Sequence, residues 1–156
     1  MRFIEFLYDP GSSTILLKSL PFSYSLEVLI DPYLADLVKR NVVIALNQQP
    51  VILALSYTMP ENQFFANLLL MAKNSPIGER LFAAGSEVMR SEVQVERCQV
   101  STVEEKILAT CLMRHGFKLG DEIYRRKSHF NYQHERMDLV EYILPVLENF
   151  LDRDSV

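Results

Sequence analysis

Glycine, cysteine and histidine are all scarce in this sequence, with five, two and three residues in a chain of 156. The few glycines form neither a G-x-G-x-x-G turn nor a Walker-type loop, which excludes the usual backbone cradles for nucleotide phosphates. Cys98 and Cys111 have no metal or redox spacing, so free thiols in a reducing compartment are expected. His129 and His134 stand five apart across a predicted hairpin, and no metal is expected. Ser12, Ser13 and Ser56 lack the glycine-flanked elbow of a hydrolase nucleophile. Long apolar runs are also missing. The longest, residues 64–72, is half the roughly 18 to 20 residues needed to span a bilayer. The stretch MRFIEFLYDPGSS is interrupted by Glu5 and by Asp9-Pro10-Gly11, too charged and too short for a secretory leader. A cytoplasmic protein with no membrane partner is the expectation. Positive charge is not in excess either: 16 Lys and Arg against 20 Asp and Glu leave a net charge of −4. Nucleic acid is therefore not an expected partner.

What remains is ordinary globular material, 49% hydrophobic and 23% charged, enough for one domain over residues 1–156. Residues 3–8 read as a short strand or a first helical turn. Residues 26–30 and 38–46 read as strands, the second closed by the turn Asn47-Gln48-Gln49-Pro50. Residues 51–59 follow at once, which predicts an antiparallel hairpin. Residues 63–73 carry a helical pattern, and Ser75-Pro76 reads as an N-cap followed by the first position of another helix. Residues 88–97 alternate as one strand. Ser101-Thr102-Val103-Glu104 fits a capping box before an amphipathic helix that Gly116 ends. Residues 123–132 and 137–144 are two further strands. The order predicts an α+β fold with a largely antiparallel sheet.

Side chains of one parity share a strand face. In residues 38–46 the even positions are Val38, Arg40, Val42, Ile44 and Leu46, so Arg40 points where apolar residues point; Lys39 and Asn41 read as solvated. In the last strand Glu141 sits among Met137, Leu139 and Ile143. A buried unpaired charge is costly, so each needs a partner, a wet cavity or a ligand. Two readings follow. Arg40 and Glu141 form a structural ion pair or snorkel out at a sheet edge, or Arg40 holds an anionic ligand through its planar fork while Glu141 accepts a hydroxyl or a proton. The basic triplet Arg125-Arg126-Lys127 reads as a solvated face.

Five segments in order carry a resemblance. They are Gly11-Ser12-Ser13-Thr14, Val38-Lys39-Arg40-Asn41-Val42 ahead of Pro50, Ala54 through Pro60, Ser75-Pro76-Ile77-Gly78-Glu79-Arg80-Leu81-Phe82, and Arg126-Lys127-Ser128 with Glu141-Tyr142-Ile143-Leu144-Pro145. Together they resemble chorismate lyase, which cuts chorismate into 4-hydroxybenzoate and pyruvate. The resemblance covers about two thirds of the chain, and its fold also serves as the ligand-sensing domain of some bacterial transcription regulators. It implies a six-stranded antiparallel sheet, no metal or organic cofactor, and a small aromatic or cyclohexadiene carboxylate as ligand. On this resemblance Arg40 binds the ring carboxylate and Glu141 polarises the substrate or acts as general base. Ser13, Leu55 and Ile77 help enclose the ligand. The chain departs from the family where it has Leu55-Ser56 in place of glycine followed by arginine, which removes a second cation. It also carries an extra helix around residues 101–116. The implied activities are a lyase of the chorismate type or a non-catalytic carboxylate sensor.

Overall fold

The computed structural model describes residues 1–19, 23–29, 36–83 and 87–151. Ile30 and the side chain of Phe82, used in the readings above, lie outside what is described. In chain order the elements are α1 (Phe3–Tyr8), α2 (Ser12–Ser19), β1 (Tyr24–Leu29), β2 (Val38–Leu46), β3 (Gln49–Thr58), α3 (Gln63–Met71) and α4 (Ile77–Ala83). They continue as β4 (Met89–Arg90), β5 (Gln94–Gln99), a 3-10 turn at Val100–Thr102, α5 (Lys106–Arg114), β6 (Glu122–Tyr132), β7 (Glu135–Ile143) and α6 (Leu147–Leu151). Among the described residues, no helix is long and apolar enough to cross a membrane.

The fold is α+β, with one antiparallel sheet in the order β1-β2-β3-β7-β6-β4, and β5 also pairing with β6. Seven strands thus fill six columns. The sixth column was expected as a single strand over residues 88–97 and is instead broken in two. Arg90 lies opposite Phe130 and Gln94 opposite Lys127, so one side has an extra residue. That is a bulge, and Ser91 fastens it by donating its N–H to the carbonyl of His129 and accepting the His129 N–H on its Oγ. The extra residue switches the inward parity from Val88 and Arg90 to Val95.

Both faces of the sheet are covered, which is why β2 and β3 are buried along almost their whole length. On the inner face, α1, α2 and α6 cover one end with Phe6, Leu16 and Leu147, and α3 and α4 cover the other with Phe65, Leu69 and Leu81. On the outer face Leu108 and Leu112 of α5 pack on Val43, Leu53 and Leu55. That cover corrects the expectation for Asn41, which is 1% exposed rather than solvated. Residues 3–8 are helical, since Phe3, Phe6 and Leu7 bury one side. The capping box at Ser101 does not form. The Thr102 hydroxyl donates to the carbonyl of Gln99, and α5 begins later, at Lys106. Gly116 ends that helix at φ 89°, as expected. The Ser75 hydroxyl likewise turns back to the carbonyl of Ala72 instead of capping α4.

The β2–β3 turn is two residues long, Asn47 and Gln48, with φ of 48° and 70°. Both values match the mirror-image turn that suits twisted hairpins, where glycine is favoured second. Gln48→Gly should therefore raise the thermal midpoint by roughly 2–4 °C, the equivalent of about 1 kcal/mol of relieved strain. A lower midpoint by calorimetry would contradict this account of the turn.

Candidate functional site

Between the two inner-face clusters lies a cavity of about 40 Å³. Its floor is the middle of the sheet, where Ala54 and Ser56 of β3 are small enough to leave space between Val42, Ile44 and Leu139. Its roof is Pro10 with Ser13, Thr14 and Leu17 of α2 on one side and Pro76, Ile77 and Gly78 on the other. The two roof helices meet at Gly78, where an added Cβ would lie 2.1 Å from Thr14 Oγ1.

Three ionisable side chains line this cavity: Arg40, Arg90 and Glu141. Arg40 is 6% exposed and donates through Nη2 to the carbonyls of Lys73 (2.9 Å) and Ser75 (2.6 Å). The chain leaves α3 through a positive φ of 48° at Lys73, just where these carbonyls reach the guanidinium. Nε of Arg40 is buried with no partner, and among the described residues no carboxylate pairs with it. Burial without a counter-charge brings its pKa down to about 10.

Glu141 has a partner, but not Arg40. Arg126, fully buried, donates Nε to Oε1 at 2.9 Å and Nη2 to Oε2 at 3.0 Å. Arg126 and Glu141 are directly opposite on β6 and β7, and their row runs on through Ala54 to Val42, one row away from Arg40. The ion-pair reading of Arg40 with Glu141 and the solvated reading of Arg126 are both replaced by this arrangement. The remaining donors of Arg126 reach the carbonyls of Phe6 (2.6 Å) and Asp9 (3.1 Å), Ser12 Oγ (2.6 Å) and Ser13 Oγ (2.8 Å). Its guanidinium also lies 5.0 Å from the Phe6 ring. The Ser13 hydroxyl completes the group by donating to Glu141 Oε2 at 2.5 Å. Burial alone would push the Glu141 carboxyl up, but the charge and hydrogen bonds of Arg126 and the Ser13 hydroxyl hold it below the usual carboxylate range.

The structure thus brings Arg40, Glu141, Ser13 and Ile77 to one cavity. Leu55 is not brought there: its parity sends it to the outer face, against the α5 cluster. Arg90 was missed by the sequence reading. It projects from β4 over the Phe130 ring at 4.8 Å, and its Nε is buried without a partner. Burial lowers its pKa, an effect that Glu141 partly opposes. Among the described residues, no three His, Cys, Asp or Glu side chains converge as metal ligands would.

No known family profile and no curated protein matches the sequence. Among solved structures, the C-terminal domain of histidine utilization repressor from Pseudomonas syringae pv. tomato str. DC3000 does match, with a TM-score of 0.51. The chain has the fold of that domain. The match covers 79% of this chain and 92% of the repressor domain at 7% identity, so it speaks to the backbone path and not to the ligand.

Proposed function

We propose that this chain binds a small carboxylate without turning it over, as a sensor-type domain. The observation that carries this reading is the unequal state of the two charges. Arg40 lines the cavity and has a buried Nε–H with no partner, whereas Glu141 already accepts three hydrogen bonds from Arg126 and Ser13. A carboxylate on Arg40 would supply the missing acceptor and counter-charge. A proton-abstracting Glu141 would have to leave a buried two-point ion pair, and its depressed pKa makes it a weak base. The likeness to a repressor domain supports the same choice over lyase chemistry.

Size sets a further condition. Cavities that hold benzene are about 150 Å³, against about 40 Å³ here. A ring acid therefore needs more room than the cavity offers as it stands, and its binding would require the lining to give way.

The test uses purified protein with benzoate, 4-hydroxybenzoate and chorismate. At 100 times Kd a ligand stabilises by about 2.7 kcal/mol, a rise of roughly 5–11 °C in thermal midpoint. The expected result is such a rise with at least one of these acids, its loss in Arg40→Ala, and chorismate that stays intact. Release of pyruvate and 4-hydroxybenzoate from chorismate would overturn the sensor reading in favour of the lyase. A shift unchanged in Arg40→Ala would overturn the anchor role.

A further inference from the structure

Arg90 gives the cavity a second cation from an unexpected direction. The family pattern places its second arginine next to the middle of the sheet, where this chain has Ser56. Here the second arginine comes from the far edge, four strands from Arg40 along β2-β3-β7-β6-β4. At the ~4.8 Å spacing of neighbouring strands, the two backbones are roughly 19 Å apart. They are also offset along the sheet, since Arg40 shares the row of Leu139 and Ser128, whereas Arg90 lies opposite Phe130, two residues further along β6. The two side chains reach the cavity from opposite ends.

Two carboxylates, Glu141 and Asp9, act on Arg90 through charge and have hydrogen-bond donors of their own. Glu141 is held by Arg126 and Ser13, and Asp9 Oδ1 accepts the N–H of Gly11. Among the described residues, neither accepts a hydrogen bond from Arg90, whose guanidinium lies over the face of Phe130. The Arg126–Glu141 pair cancels internally, so the lining keeps two cations, each with a buried Nε–H that nothing accepts. One carboxylate satisfies one of these ends.

We propose that the ligand carries two separated anionic groups, one held by Arg40 and the other by Arg90. The bulge at residues 91–93 is what aims Arg90 inward. Without the extra residue, β4 and β5 would share one parity, and with Val95 facing the core Arg90 would face outward. This inference rests on the carboxylate-binding reading and narrows its ligand to a dianion with charges at both ends.

The experiment compares matched pairs by calorimetric titration at low salt: butyrate against succinate, and 4-methylbenzoate against terephthalate. The expected result is a dianion bound roughly tenfold or more tightly than its monoanionic partner in at least one pair. Arg90→Gln should abolish that preference while leaving monoanion binding in place, and Arg90→Lys should retain part of it. Sulfate, a compact dianion, should show no comparable gain. Equal binding of monoanion and dianion by the unaltered protein overturns the two-ended ligand but leaves the Arg40 anchor standing. So does an Arg90→Gln variant that weakens both members of a pair alike, or sulfate binding as tightly as succinate. Failure of every carboxylate to bind overturns the carboxylate reading itself, and this inference with it.

Discussion

Arg126→Met is expected to be the most damaging single substitution in the inner layer. It leaves Glu141 buried without a counter-charge, and takes one donor each from Ser12 Oγ and from the carbonyls of Phe6 and Asp9, which keep only their bonds with Ser12. Breaking a buried pair from one side typically removes about 3–5 kcal/mol. At roughly 2–4 °C per kcal/mol in a chain of this size, the midpoint should fall by roughly 6–20 °C. The double variant Arg126→Met/Glu141→Leu should recover a large part of the loss, because no unpaired charge remains. Thermal and urea unfolding of both variants check this, and a loss under about 1 kcal/mol in the single variant contradicts it. The same pair sets an acid limit. The folded Glu141 carboxyl lies below its ordinary value of 4.5, so its contribution is present above that pH and is lost as pH falls through the depressed folded value. Glu141→Gln should flatten this part of the stability–pH curve.

The second large effect is expected at the roof. In Gly78→Ala the new methyl would sit 2.1 Å from Thr14 Oγ1 and 3.2 Å from Thr14 Cβ, and neither atom is the far end of a flexible chain. α2 and α4 must separate. Overpacking of this kind costs about 1–3 kcal/mol, a midpoint lower by roughly 2–12 °C. Thr14→Ala removes the closest atom, so Gly78→Ala/Thr14→Ala should regain most of the stability of Thr14→Ala alone. An unaltered midpoint in Gly78→Ala would mean that the helices do not meet as described.

The contrast between Arg126 and Arg40 explains what the sequence could disclose. Arg40 and Glu141 interrupt otherwise aliphatic faces, and parity alone marks them as core-facing. Arg126 sits between two outward-facing basic residues, and most of its acceptors are main-chain carbonyls or serines near α1. Such acceptors leave no charged residue at a readable spacing, so the triplet looked like surface. Arg90 was hidden by the bulge, since a one-residue slip resets the alternation on which the argument depends. The long strands and their hairpins were legible because periodicity and turn chemistry agree there. The start of α5 and the splitting of the edge strand were not, because tertiary contacts decide both. Leu55 is the converse case. A position given by resemblance belongs to the opposite face once the strand's own alternation is applied.

Arg126 has one more consequence, for how the molecule opens. Helices as short as α1 and α2 ordinarily open on their own, at little free energy, while a sheet stays closed. Here the two helices and the turn between them supply most of the acceptors of a cation that is itself locked to the central strands. Lifting them away leaves a charge in the interior with Glu141 as its remaining partner. The amides of this segment are thereby joined to the cooperative unit of the sheet, and exchange with solvent on its timescale instead of that of a loose end.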